Sequence, residues 1–151
     1  MAYWLLKSEP SVYSIDDLKR DKSTFWEGVR NYQARNNLRA MKKGDRALFY
    51  HSNAAPAAVV GIAEISKAAY PDPTQFLRSN KYFDGKSSKE NPRWSVVDIR
   101  YIGRLKSPVP LEALKKAGAL SKMVLVNNSR LSVQPVSESE WKIVLEMGDF
   151  R

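Results

Sequence analysis

The chain has 151 residues, 43% hydrophobic and 27% charged, which suits one folded domain with a real core and excludes a disordered chain. Its 25 Lys and Arg outnumber 16 Asp and Glu, a formal charge of +9 that favours polyanionic partners, nucleic acid first among them. The lack of cysteine excludes disulfides, zinc ribbons and thiol nucleophiles and fits a reducing compartment. No apolar run approaches membrane-spanning length and no signal-peptide pattern is visible, so no membrane partner is expected. The expected location is cytoplasmic, or nuclear in a eukaryote.

Tyr3-Trp4-Leu5-Leu6 predicts a first strand, ended at Glu9-Pro10 because proline removes a donor and restricts the residue before it. Ser14-Ile15-Asp16-Asp17 reads as a capping box with Asp for Glu, opening a short helix through Lys19. Thr24-Phe25-Trp26 is a short extended segment. Residues 32–42 read as a helix. Ala34, Leu38 and Met41 form its apolar stripe, and Arg35, Arg39 and Lys42 a basic stripe beside it. Lys43 and Arg46 extend the charge, and Gly44 supplies the stop. Residues 47–51 and 58–65 read as strands joined by a turn at Asn53-Ala54-Ala55-Pro56, with Gly61 marking a bulge or a close backbone approach. Residues 70–93 are irregular, and a loop of that length is usually functional or mobile. Val97, Ile99 and Tyr101 alternate with Asp98 and Arg100 as a half-buried strand. Leu111 to Lys116 is a short helix between Pro110 and Gly118, and Arg130 to Val133 is extended. Ser137-x-x-Glu140 is a full capping box opening a helix that buries Trp141, Val144 and Leu145 and stops at Gly148. Trp4 and Trp141 belong to the core. Short strands with scattered helices predict an α+β fold, a small strongly bent sheet or barrel decorated by short helices, in one domain.

The densest chemistry lies at residues 26–36, Trp26-Glu27-Gly28-Val29-Arg30-Asn31-Tyr32-Gln33-Ala34-Arg35-Asn36. Trp26 offers a flat ring, Gly28 lets the backbone turn or lie close to a ligand, and Arg30 and Asn31 can hydrogen-bond a polar edge or a phosphate. These are the parts needed to hold one flat heterocycle. The stripe of Arg35, Arg39 and Lys42 with Lys43 and Arg46 is a candidate phosphate track, or merely a solvated face. Hydrolase and nucleotide-triphosphatase motifs are absent. Asp16, Asp17, Asp72 and Asp84 have no metal-site spacing, and His51, the one histidine, reads as a structural hydrogen-bonding residue. No catalytic residue, cofactor or metal is expected. A protein-interaction adaptor and an enzyme acting on modified nucleotides stay open as alternatives.

The chain resembles the EVE domain family of the PUA-like superfamily. The resemblance rests on Tyr3-Trp4-Leu5-Leu6-Lys7-Ser8-Glu9-Pro10, on residues 26–36, and on Asp45 to Ser52 ending Phe49-Tyr50-His51-Ser52. It continues through Ala69-Tyr70-Pro71-Asp72-Pro73-Thr74, Asn91-Pro92-Arg93-Trp94 and Ser129-Arg130-Leu131-Ser132-Val133-Gln134-Pro135-Val136. It implies a PUA-like pseudobarrel that reads a modified base, notably modified cytosine, in DNA or RNA by taking one extruded base into an aromatic pocket. The family's pocket positions fall on Ser8, Trp26, Gly28, Val29, Arg30, Asn31 and Tyr32, and on His51, Ser52, Trp94 and Ser132. No catalytic activity is implied.

Overall fold

The computed structural model describes residues 1–128 and 130–150, so Ser129 of the last motif lies outside the described residues. Its elements in chain order are β1 (Tyr3–Ser8), α1 (Ile15–Asp21), β2 (Ser23–Phe25), α2 (Tyr32–Ala40), β3 (Arg46–His51) and β4 (Ala58–Pro71). There follow β5 (Ser95–Pro110), α3 (Leu111–Lys116), α4 (Val124–Asn127), β6 (Val133–Val136) and α5 (Glu138–Met147). Two 3-10 turns intervene, Pro73–Phe76 and Gly118–Leu120. The strands form one six-stranded sheet in the order β2-β5-β4-β3-β1-β6. β1 and β3 run parallel, and every other pair is antiparallel.

Successive side chains on a strand point to opposite faces. Leu5 and Leu48 therefore face one core with Leu114, Leu120 and Trp141, while Leu6 and Phe49 face another with Leu18, Trp26 and Leu38. A sheet covered on both faces explains why these strands are apolar without alternation. Register shifts fall at Phe49/Tyr50 and at four points between β4 and β5. Each shift bends and twists the strands locally, which produces the strongly bent sheet. Gly61 sits at one of them, where a Cβ would lie 2.6 Å from the Ile15 side chain and 2.8 Å from the Gly103 carbonyl. The α+β class and the bent sheet are thus as expected, and the sheet is open, with β2 and β6 as its edges.

The helix starts follow their caps. Ser14 accepts from the Asp17 N–H while Asp17 accepts from the Ser14 N–H, and Ser137 and Glu140 repeat the box at α5. Four elements depart most from expectation. α2 stops at Ala40, because Met41 is already extended, so Lys42 and Gly44 lie in the turn beyond it. β4 runs on to Pro71. β5 runs from Ser95 to Pro110, the register shifts having broken the alternation that marked only its middle. β6 begins at Val133 instead of Arg130, paired through Gln134 to Leu5. No helix of the described residues is long and apolar enough to cross a membrane.

Candidate functional site

The segment after β2 forms one side of the candidate site. The Trp26 N–H donates to the Val97 carbonyl at 2.8 Å, holding the chain against β5 as β2 ends. Trp26 is only 8% exposed, its indole packed edge-on against Phe49 (5.6 Å between centroids) and Tyr13 (6.4 Å). Its indole N–H donates to no described residue, whereas those of Trp4 and Trp94 donate to Asp45 and Asp84. Gly28 has φ +80°, a conformation other residues rarely adopt, and a Cβ there would lie 2.5 Å from Cζ of Tyr82. Its N–H donates to Oδ2 of Asp72 at 3.0 Å.

Arg30 rivets this segment to residues 72–82. Nε and Nη2 donate to the Tyr82 carbonyl (3.1 and 2.8 Å), Nη1 to Asp72 (3.1 Å) and Val29 O (2.9 Å), and Nη2 also to Thr74 Oγ1 (3.1 Å). That uses the whole donor set of a guanidinium. Asp72 is fully buried, and besides Arg30 and Gly28 it accepts from the Thr74 N–H and hydroxyl. A buried carboxylate is tolerated only when so completely satisfied.

Between these segments and the end of β1 lies a cavity of about 470 Å³. Lys7, Ser8 and Glu9 line it from β1 and its end, Val12 and Tyr13 from the loop before α1, and Thr24 and Phe25 from β2. Trp26, Glu27, Gly28, Val29, Arg30, Lys81, Tyr82 and Ser132 complete the wall. Ser8 Oγ donates to the Tyr13 carbonyl at 2.6 Å, and the Lys7 N–H to the Ser132 carbonyl at 3.0 Å, so neighbouring parts of the wall are tied together. Burial, helped by the hydrogen bond to Asp21, pushes the Tyr13 phenol up to about 12, so it stays protonated. Burial also lowers the Lys7 ammonium, and burial with Asp72 nearby raises Glu27.

Of the expected pocket residues, Ser8, Trp26, Gly28, Val29, Arg30 and Ser132 line the cavity, and the other five lie outside its lining. Asn31 caps α2, its Oδ1 accepting from the Ala34 N–H at 2.9 Å. Tyr32 is 51% exposed and stacks at 4.9 Å on Trp94, which is buried with its indole N–H on Asp84 at 2.7 Å. His51 Nε2 accepts from the Ile15 N–H at 3.1 Å, which needs the neutral ring, and burial followed by the Arg104 charge lowers its pKa. The Ser52 N–H donates to the Ser8 carbonyl at 3.0 Å. Lys7, Glu9, Val12, Tyr13, Thr24, Phe25, Glu27, Lys81 and Tyr82 also line the cavity, and the sequence does not mark them as pocket residues. Glu27 stood inside the densest motif and Tyr82 in the long loop, but nothing in the sequence joins Tyr13 and Tyr82 to Trp26.

The basic stripe is reshaped. Arg35 donates to the Arg93 carbonyl at 3.1 Å and lies over the Tyr32 ring, and Arg39 donates to Ser95 Oγ at 3.0 Å and to the carbonyls of Pro92 and Arg93. Both fasten α2 to the entrance of β5. Lys42 and Lys43 are exposed in the turn, Arg46 is half-buried in β3, and none of the five lines the cavity.

Comparison with known proteins gives this architecture relatives. The EVE domain family matches residues 2–147. Thymocyte nuclear protein 1 of Gallus gallus is 46% identical over 164 residues, covering 96% of this chain and 68% of that protein. A solved structure of a hypothetical protein from Leishmania major has a TM-score of 0.95 at 48% identity, with 99% of this chain and 95% of that one covered. The human THYN1 protein, solved in complex with 5-methylcytosine containing DNA, has a TM-score of 0.93 at 42% identity, with 100% and 99% covered. The YTH domain of Zygosaccharomyces rouxii MRB1 has a TM-score of 0.56 at 18% identity over 97% and 86% of the two chains, a likeness of fold alone. With the family matched over nearly its whole length, the chain belongs to the EVE domain family.

Proposed function

We propose that this chain is a non-catalytic module that binds DNA carrying a modified cytosine and holds the modified base, turned out of its stack, in the cavity beside Trp26. The observation that carries the proposal is the human relative, similar along the whole of its solved chain and solved with 5-methylcytosine containing DNA. The cavity supports it, since its volume and mixed aromatic and polar lining suit one small heterocycle. A flipped base is read by stacking and by hydrogen bonds to its pairing edge. Stacking contributes about 1–3 kcal/mol per base but does not distinguish bases. A methyl group in a fitting apolar slot adds only ~1 kcal/mol. Selectivity among bases therefore falls to the polar groups on the wall, Ser8, Glu27 and the unpartnered indole N–H of Trp26, while the methyl slot sets the preference for modified over unmodified cytosine, whose pairing edges are the same. A carboxylate accepts from the cytosine amino group, which thymine lacks. Asn31, whose oxygen is committed to the α2 cap, acts by orienting the segment. The name of the Gallus gallus relative includes "nuclear", and a nuclear location is proposed for a chain of eukaryotic source.

The test is a binding panel at fixed salt: DNA and RNA oligonucleotides, single-stranded and duplex, each with cytosine, 5-methylcytosine or N6-methyladenine at one position. Tighter binding of 5-methylcytosine DNA than of its unmodified counterpart is expected. Equal affinity across the panel would refute the proposal.

A further inference from the structure

The lip of the cavity carries apolar groups that a base pocket alone does not require. Among the described residues the exposed large hydrophobic side chains are Met1, Val12, Phe25, Tyr32, Leu77 and Phe83. Two of them, Val12 at 58% and Phe25 at 40% exposure, line this one cavity. Exposed apolar groups gathered at one site can pack against a partner. Both are held by firm backbone. The N–H groups of Val12 and Tyr13 donate to the Glu9 carbonyl, each at 2.9 Å, and Phe25 pairs with Asp98 on β5. Lys7 and Lys81 share the same lining with the exposed Glu9 and Glu27, so the opening is apolar and carries charges of both signs. The apolar pair suits a base stack, and the two ammonium groups can meet the phosphates that flank it.

A single strand loses a base from its stack without leaving a hole. A duplex leaves an orphaned partner base and two unstacked neighbours, and proteins that open duplexes insert apolar side chains at such steps. On the reading of the cavity as the base site, we propose that the ligand of this protein is a duplex. Val12 and Phe25 enter the stack at the position the base has vacated.

The test is the double variant Val12→Ser, Phe25→Ser, titrated against a 5-methylcytosine duplex and against the modified strand alone, with thermal unfolding alongside. The expected result is a loss on the duplex about tenfold or more greater than the loss on the single strand. The melting temperature should hold, because both side chains are exposed. Restoring Phe25 alone should recover part of the duplex affinity. Equal losses on the two ligands, or an unchanged duplex affinity, overturn the proposal. Failure of the base-site reading shows differently: the parent protein would bind modified and unmodified single strands equally.

Discussion

Trp26 shows how one residue can belong to the core and to the site. Little of its ring is reachable, and Phe49 and Tyr13 pack against it at near right angles, which leaves little of the ring for a base to stack on. Tyr13 and Tyr82, each half-buried, leave more ring surface for stacking. Truncation should therefore act on stability and binding together. Trp26→Ala is expected to cost about 3–5 kcal/mol of stability, as for other buried tryptophans. Trp141→Ala, which removes a ring stacked on Tyr3 at 4.5 Å in the opposite core, should cost a similar amount and leave binding by the folded fraction unchanged. Trp26→Phe separates the roles: it keeps most of the packing and loses the free indole N–H. It should unfold within a few degrees of the parent and bind 5-methylcytosine DNA less tightly. Chemical denaturation and fluorescence anisotropy on the three variants decide the matter, and normal binding by Trp26→Phe would remove the indole N–H from the reading of the base.

At the scale of elements, the site is a clamp between the segment after β2 and the loop between β4 and β5. Arg30 and Tyr82 are 52 positions apart, and Gly28 and Asp72 are 44 apart. The sequence exposed one jaw, in the Trp26-Glu27-Gly28 cluster, and marked the other only as a long irregular loop. The partnership is set by sheet topology, which no local pattern encodes. Local signals were legible where local physics decides. Both Ser capping boxes appear as read, and Ala34, Leu38 and Met41 are all buried. Signals failed where bulges shift the register, as along β5, and where one residue type serves two ends. Asn31 is a helix cap as much as a hydrogen-bonding group, and its place just before Tyr32 was a cap signal. The clamp makes its own prediction. Arg30→Lys keeps a charge near Asp72 but offers a compact ammonium in place of a planar five-donor fork. Losing buried hydrogen bonds of this kind should cost about 1–3 kcal/mol. Hydrogen exchange by mass spectrometry should show faster exchange in residues 72–82 and little change in β1 or β3. Uniform acceleration across the sheet would mean that Arg30 supports the whole fold and not the clamp.

At the scale of the molecule, a charge of +9 draws in nucleic acid from any direction, and the question is which cations touch phosphate. Arg35 and Arg39 are tied to backbone carbonyls and to Ser95, and burial followed by its like-charged neighbour Arg35 lowers the Arg39 pKa. A cation whose donors are already spent on protein oxygens has fewer left for phosphate. Lys42 and Lys43 are exposed, but no residue of that turn lines the cavity. Lys7 and Lys81 do, and on the proposed reading the backbone of an extruded nucleotide passes beside them. Each phosphate contact contributes about 0.9 to the slope of log affinity against log salt for duplex DNA. Lys81→Gln and Lys7→Gln should each flatten that slope by about this amount. Arg35→Gln and Arg39→Gln should leave the slope almost unchanged and lower the melting temperature by unfastening α2 from the start of β5. Lys42→Gln and Lys43→Gln serve as controls for charge far from the site. Affinities measured for each variant across a salt series place the phosphate path. A slope that flattens for the α2 arginines and not for Lys7 and Lys81 would move that path from the cavity mouth to the helix.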